Sequence, residues 1–147
     1  MEAQCDSGMS ERKIRCVLLA SQHLSLREGI RGLLHQQFDA VVTVTDETSL
    51  VESAVRMHPD VVVADLSLTK GECYGWLRRL LASRPESRVI VLSDYPEPAV
   101  REAAFDAGAA GFVLKIEIST QLLAAVNEVR AGRPYGIPDT SSPERSR

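Results

Sequence analysis

The sequence of 147 residues contains only three cysteines, Cys5, Cys16 and Cys73, and no Cys-x-x-Cys pair. An odd number of widely spaced cysteines argues against a disulfide framework or a structural zinc site and is typical of a reducing, cytoplasmic setting. A single domain of this length buries roughly 70% of its unfolded surface, so it needs no covalent cross-link. Because Cys16 lies within an apolar run, we predict a small core residue there.

Long apolar runs are also missing. No apolar stretch approaches the length that a membrane-spanning helix requires, so the sequence predicts no contact with a membrane. Residues 1–13 are polar and lack the apolar segment of a signal peptide. We predict a disordered leader over this range.

Lysine is scarce, and its distribution is informative. The formal net charge of −3 leaves no basic footprint for nucleic acid, so this chain alone is not expected to bind DNA. Lysine occurs only as Lys13, Lys70 and Lys115, against fourteen arginines. Lys115 therefore stands out, because it closes an apolar segment.

Several sequence motifs of enzymes are absent. The chain has no phosphate-binding P-loop, no Gly-x-Gly-x-x-Gly dinucleotide motif and no Gly-x-Ser-x-Gly nucleophile elbow. Its three histidines show no metal-ligand spacing. These absences count against a flavodoxin-like enzyme or small-ligand binder, and we predict that the protein is not an enzyme.

The sequence does contain apolar segments that alternate with amphipathic ones. Val61–Ala64 is apolar without alternation, which is typical of a strand buried on both faces of a parallel sheet. Five such strands are predicted: Ile14–Ala20, Val41–Val44, Val61–Asp65, Val89–Leu92 and Gly111–Lys115.

Apolar residues at helical spacing follow each strand. In the second helix, Asp46 or Thr48 is the expected cap, and Val55 is among the residues expected to face the sheet. Residues 66–72 are predicted to form a loop. The pattern predicts an α/β fold, a doubly wound, flavodoxin-like (βα)5 three-layer sandwich with a five-stranded parallel sheet. Residues 14–132 would form this domain, and 133–147 a linker or disordered tail.

Polar residues close three of the predicted strands: Asp65, Ser93 and Lys115. The carboxyl ends of parallel strands meet at one edge of a sheet, where α/β proteins place their chemistry. A carboxylate can attack phosphorus, a hydroxyl can bond a phosphate oxygen, and an ammonium can neutralise charge. The alternative is that polar residues end strands simply because loops begin there.

The chain resembles the receiver domains of two-component response regulators, in particular those of the NarL/FixJ type. The resemblance covers roughly residues 14–132 and rests on four stretches together: Val17–Ala20 with Leu26–Ile30, Pro59–Leu68, Val89–Ser93 and Ala107–Lys115. It implies that Asp65 is the phosphoacceptor, Ser93 the switch hydroxyl, Phe112 the switch aromatic and Lys115 the phosphate contact. It also implies a histidine kinase or other signalling protein as partner. On phosphorylation, the face formed by the fourth helix, fifth strand and fifth helix would change shape.

The chain departs from this family where its members usually carry two adjacent acidic residues that hold Mg²⁺. Ser21 and Gln22 occupy those positions. Magnesium prefers carboxylate and water oxygens, and each lost carboxylate removes a substantial electrostatic attraction. With Asp65 as the remaining ligand, we expect weakened Mg²⁺ binding, and phosphorylation that is weak or independent of Mg²⁺.

Asp94 is a second departure, because the residue after the switch hydroxyl is usually small. It could supply a substitute carboxylate for a metal, but repulsion of a phosphoryl group or a helix-capping role is the favoured interpretation. The loop after Asp65 also departs from the family, with no proline after Leu68 and with Cys73 in place of a common glycine.

Three functions remain open from the sequence. The chain could be a receiver of a phosphorelay, or a pseudo-receiver that serves as a protein-interaction or dimerisation module, with a homodimer formed through the last helices. It could also be the N-terminal part of a transcriptional regulator whose DNA-binding domain is absent from this chain.

Overall fold

A computed structural model describes residues 15–68 and 74–136, in which strands and helices alternate. The strands are β1 (Cys16–Ala20), β2 (Ala40–Val44), β3 (Val61–Asp65), β4 (Val89–Ser93) and β5 (Gly111–Leu114). The helices are α1 (Leu24–Leu34), α2 (Glu47–Met57), α3 (Gly75–Ser83), α4 (Pro98–Asp106) and α5 (Ile118–Arg130). Short 3₁₀ turns at Leu66–Leu68 and Lys115–Glu117 follow β3 and β5. The predicted leader, Cys73 and most of the predicted tail lie outside the described residues.

The strands form one parallel sheet in the order β2-β1-β3-β4-β5. Strand β3 is therefore central, and its carboxyl end lies between those of β1 and β4. The register pairs Asp65 with Leu92 and Ser93 with Leu114, so the predicted site residues share one edge of the sheet. The predicted fold class is confirmed.

Two apolar layers enclose the sheet. Val62 and Ala64 of β3 point into a cluster with α2, α3 and α4, whereas Val61 and Val63 point into a cluster with α1 and α5. All five residues of β3 are buried. Burial of each Val or Leu side chain contributes about 1.5–3 kcal/mol, so this double-sided core is the main force that fixes the position of Asp65.

The ends of the helices follow local sequence signals. The side chain of Asp46 accepts a hydrogen bond from the backbone N–H of Ser49 at 2.7 Å, so Asp46, and not Thr48, caps α2. The same helix ends at His58, which adopts a left-handed conformation with φ of 53° directly before Pro59. Pro98 occupies the first turn of α4, where a proline loses no hydrogen bond.

Some details differ from the predictions. Val55, expected to face the sheet, is 36% exposed, because α2 turns Leu50, Ser53 and Ala54 inward. Leu66–Leu68, expected to begin a loop, forms a 3₁₀ turn with both leucines buried. Lys115 follows β5 and does not belong to it.

Cys16 is half-buried at the start of β1 and not fully within the core. Burial and the neighbouring carboxylate of Asp60 raise the pKa of its thiol. The thiol therefore stays protonated at neutral pH, which makes it a poor nucleophile. None of the helices in the described part of the chain is long and apolar enough to cross a membrane.

The chain does not leave the domain at the end of α5. Gly132 turns it with φ of 88°, and Tyr135 then forms a parallel bridge to Gly111 of β5. Residues 133–136 thus lie along the open edge of β5. The predicted domain boundary at residue 132 stays a prediction.

Candidate functional site

The candidate site centres on Asp65, the last residue of the central strand. Its side chain has no exposed surface. A buried carboxylate is costly unless it is paired with a cation and hydrogen bonds. The surroundings of Asp65 supply both.

Each carboxylate oxygen of Asp65 has a donor. Oδ1 accepts a hydrogen bond from the backbone N–H of Ser67 at 2.9 Å and lies 2.6 Å from Nζ of Lys115. Oδ2 accepts a hydrogen bond from the hydroxyl of Ser21 at 3.1 Å. The structure therefore brings Asp65, Lys115 and Ser21 together from the carboxyl ends of three strands at the same edge of the sheet.

Ser21 is held in place from two sides. It follows β1 and is fully buried, and its backbone N–H donates to the carbonyl of Val44 at 3.1 Å. Its Oγ accepts a hydrogen bond from the backbone N–H of His23 at 3.2 Å while donating to Asp65. Gln22, the next residue, is exposed to solvent.

Lys115 lies between two carboxylates. Its Nζ is 2.6 Å from Oδ1 of Asp65 and 3.3 Å from Oδ2 of Asp94, and its side chain is only 10% exposed. The side chain of Asp94 is 61% exposed, so water screens this second contact. Asp94 does not cap α4, because Glu97 occupies the N-cap position without a side-chain hydrogen bond. The capping interpretation of Asp94 is wrong.

Ser93 and Phe112 lie farther along the sheet. The buried hydroxyl of Ser93 accepts a hydrogen bond from the backbone N–H of Tyr95 at 2.9 Å and faces the carbonyl of that residue at 3.4 Å. Phe112 is 1% exposed, and the guanidinium of Arg101 lies 4.9 Å from the centre of its ring. Both predicted switch residues are thus buried, with Ser93 bonded to its own loop.

Sequence reasoning missed two contacts at this site. The sequence predicts only a lost metal ligand at Ser21, but this residue is also a hydrogen-bond partner of Asp65. A serine at the end of a strand next to the strand of Asp65 could have indicated this. No sequence signal indicated that Arg101 lies over Phe112, because the contact depends on how α4 packs against β5.

Comparison with known proteins decides the family. The sequence model of the protein family described as the response regulator receiver domain matches residues 17–127 of this chain. The chain belongs to this family. A receiver domain is a signalling module and not a classical enzyme, so the resemblance stated from the sequence is confirmed at this level.

The relatives are regulators of the NarL/LuxR kind. The transcriptional regulatory protein DegU of Brevibacillus brevis is 29% identical over 86% of this chain and 54% of its own length. The oxygen regulatory protein NreC of Staphylococcus haemolyticus is 30% identical over 81% of this chain and 56% of its own length. The receiver domain described here thus spans about half the length of these curated relatives.

Solved structures agree with this fold. A LuxR-family two-component response regulator from Aurantimonas sp. SI85-9A1 superposes with a TM-score of 0.79, 26% identity and coverage of 92% of this chain and all of the other. The apo form of the isolated receiver domain of RcsB from Salmonella enterica serovar Typhimurium gives a TM-score of 0.76 and 27% identity, covering 90% of this chain and 99% of the other.

Receiver domains typically bind Mg²⁺, but the oxygen atoms near Asp65 that could coordinate a metal do not fit this ion well. The hydroxyl of Ser21 is engaged with Asp65 and His23, and Gln22 offers only a neutral oxygen. Within residues 15–68 and 74–136, no three His, Cys, Asp or Glu side chains cluster in a way that could hold a metal. The cation that Asp65 contacts is the ammonium of Lys115.

Proposed function

We propose that this receiver domain operates in a phosphorelay, with Asp65 as the phosphoacceptor position and a histidine kinase as the donor. The observation that carries this proposal is the 2.6 Å contact between Oδ1 of Asp65 and Nζ of Lys115. In the transfer, a carboxylate oxygen would attack phosphorus, the bond from phosphorus to the donor would break, and an acyl phosphate would form. Lys115 would compensate part of the added negative charge.

We further propose that Mg²⁺ binding is weak and that phosphorylation is weak or independent of Mg²⁺. Ser21 and Gln22 stand where the family usually has two carboxylates, which supports this. Lys115 also offsets the charge of Asp65, and the remaining carboxylate, Asp94, is largely exposed to water, so a divalent ion would meet reduced attraction there.

Intact-mass spectrometry tests both proposals. The protein is incubated with acetyl phosphate with and without Mg²⁺, as wild type and as Asp65→Asn. We expect a small fraction of wild type to gain the mass of one phosphoryl group to an extent that changes little with Mg²⁺, and Asp65→Asn to gain none. If Asp65→Asn gained a phosphoryl group in the same yield as wild type, the assignment of Asp65 would be refuted. If the yield in wild type depended strongly on Mg²⁺, the proposed weak Mg²⁺ binding would be refuted.

A second candidate is a pseudo-receiver that is never phosphorylated and acts as an interaction or dimerisation module. It is favoured by the donors on both oxygens of Asp65, because phosphorylation must break at least one of those contacts. The wild-type result with acetyl phosphate separates the candidates, because a pseudo-receiver gains no phosphoryl group. The double variant Ser21→Asp/Gln22→Asp then tests the cause: if it gains Mg²⁺-dependent phosphorylation, the missing carboxylates are the defect, and if it stays unmodified, Asp94 becomes the next residue to replace.

The role of the whole protein is a further proposal, drawn from the names of the relatives. We propose that this receiver controls transcription as the N-terminal part of a cytoplasmic regulator, and that homodimers form through the last helices. Reading the gene beyond Arg147 tests the first point. Light scattering of the purified chain tests the second, and a monomer at all concentrations would contradict it.

A further inference from the structure

The open edge of β5 is occupied by the segment Arg133–Gly136, which we call the clasp. The backbone N–H of Phe112 donates to the carbonyl of Tyr135 at 3.0 Å, and the N–H of Tyr135 donates to the carbonyl of Ala110 at 3.1 Å. The clasp is therefore a short parallel extension of the sheet, bonded to the two residues on either side of Gly111, one of which is the switch aromatic Phe112.

Both flanking helices also hold the clasp. From α5, Glu128 contacts Arg133 at 2.6 Å, and the amide oxygen of Gln121 accepts a hydrogen bond from the hydroxyl of Tyr135 at 3.3 Å. From α4, a guanidinium nitrogen of Arg101 donates to the carbonyl of Gly136 at 3.0 Å. The clasp thus bridges the same face that would change shape on phosphorylation.

Gly136 is the position where the clasp fits most tightly. It has φ of 83°, and a Cβ there would overlap the carbonyl oxygen of Phe112. Gly132 has a similar φ of 88°, but a Cβ there would meet nothing within 4 Å. The two glycines therefore share a conformational requirement but differ in their contact with β5.

Arg101 joins the clasp to the switch aromatic. Its guanidinium lies over the ring of Phe112 and also bonds Gly136. A guanidinium is attracted to the face of an aromatic ring, so the position of the ring helps to set the position of Arg101. If the ring turned away, Arg101 would lose this support and its bond to Gly136 would weaken.

We propose that the clasp couples the state of Phe112, through Arg101, to the chain that follows residue 136. The clasp is docked when Ser93 and Phe112 have the positions described above. A shift of the Phe112 ring releases it. The link from Asp65 to Phe112 rests on the proposed function, whereas the link from Phe112 to the clasp does not. Because coupling free energies are reciprocal, release of the clasp must also change the equilibrium free energy of Asp65 phosphorylation.

Amide hydrogen exchange of the full chain, followed by NMR, tests the link that is independent of Asp65. In Gly136→Ala, exchange at Phe112 and Tyr135 should rise roughly tenfold relative to Gly132→Ala, because the hydrogen bonds across the edge are lost. Phe112→Leu and Arg101→Gln should each raise exchange at Tyr135, since each removes one partner of the contact between the Arg101 guanidinium and the Phe112 ring.

Exchange of the central amide of Val63 monitors global folding in every variant. If Gly136→Ala also accelerates Val63, the comparison rests on Arg101→Gln, a change on a half-exposed helix face. Equal exchange at Phe112 in the two glycine variants, or unchanged exchange at Tyr135 in both Phe112→Leu and Arg101→Gln, would overturn the proposal.

Phosphorylation by acetyl phosphate tests the reciprocal link. The yield in Gly136→Ala should differ from that in Gly132→Ala by several-fold. Equal yields would refute the coupling to Asp65. If none of the proteins takes up phosphate, the proposed function fails, while the exchange experiment still decides whether the clasp and Phe112 are linked.

Discussion

The carboxylate of Asp65 has three donors of unequal strength. The ammonium of Lys115 is a charged donor at 2.6 Å, whereas the hydroxyl of Ser21 and the N–H of Ser67 are neutral. All three bonds end on an ionised carboxylate, but only Lys115 also brings a compensating positive charge, so Lys115 dominates the local energetics. The same residue that would assist phosphoryl transfer thus stabilises the unmodified protein.

This dominance gives a prediction for Lys115→Met. The substitution keeps the apolar stem but leaves Asp65 buried without a cation, and we expect a loss of about 3–5 kcal/mol in the free energy of unfolding. Urea denaturation measures this loss. Adding Asp65→Asn in the same chain should restore most of the stability, because the uncompensated charge is then gone; a double variant as unstable as Lys115→Met would refute the explanation.

Which residues share the site was largely predictable from the sequence, but their bonds were not. Asp65 and Ser93 end neighbouring strands and Lys115 directly follows the next one, and parallel topology places such ends at one edge. The bonds of Ser21 and Ser93 depend on the rotation of short side chains in tight loops, which no periodicity encodes. Ser93, predicted to face a phosphate oxygen, is bonded to Tyr95 in this structure.

Among the elements, α2 begins with a side-chain cap that can be tested directly. Asp46→Ala removes the acceptor of the Ser49 N–H and should cost about 1 kcal/mol of unfolding free energy. Thr48→Ala is the matched control, because Thr48 is exposed and lies inside the first turn; it should change stability far less. Equal losses in thermal or urea denaturation would show that the cap contributes nothing specific.

The clasp gives a prediction of pH dependence. The hydrogen bond from Arg133 lowers the pKa of Glu128 below its ordinary value of 4.5. A carboxyl with a lowered pKa stabilises the docked form above its ordinary pKa, and this contribution is lost as the pH falls through the lowered value. We expect the protection factor of the Tyr135 amide to be constant near neutral pH and to fall in this acidic range.

Glu128→Gln provides the control for this experiment. Its side chain has the same length but does not titrate, so its Tyr135 protection should be lower at neutral pH and should lack the acidic step. A step of equal size in Glu128→Gln would assign the pH dependence to another group.

Pairing of the clasp with β5 could not be predicted from the sequence. The segment has four residues, includes Pro134 and lacks strand periodicity, so local signals favour a linker. Its pairing depends on the edge of β5 and on side chains of α4 and α5. The exposure of Val55 has a similar cause, because the apolar stripe of α2 is wider than the face that the sheet can cover.

For the molecule as a whole, the fold was predictable because the local sequence signals for strands, helices and turns all indicate the same architecture. Apolar runs of strand length alternate with amphipathic helices, and Pro and Gly separate them. Val61–Ala64, apolar throughout, occupies the centre of the sheet as its pattern indicates. The affinity for Mg²⁺ cannot be read from these patterns, since it depends on the positions of a few oxygen atoms.

Thermal unfolding measures this affinity through the stability of the whole molecule. A ligand that binds only the folded state raises the melting temperature by an amount that grows with the logarithm of one plus the ratio of its concentration to its Kd. We expect millimolar Mg²⁺ to leave the wild type unchanged and to raise the melting temperature of Ser21→Asp/Gln22→Asp by a few degrees. The isosteric Ser21→Asn/Gln22→Asn should not respond, and a clear response of the wild type would refute weak binding.

The clasp has a consequence for solubility. A sheet edge with free N–H and C=O groups on an apolar strand is a template for pairing with another chain, and natural proteins cover such edges. Gly111–Leu114 is apolar throughout, and the N–H of Phe112 and the carbonyl of Ala110 are bonded to Tyr135. A chain ended at Gly132 would expose both groups. We expect it to aggregate at concentrations where a chain ended after Gly136 remains dispersed, as light scattering of the two chains would show.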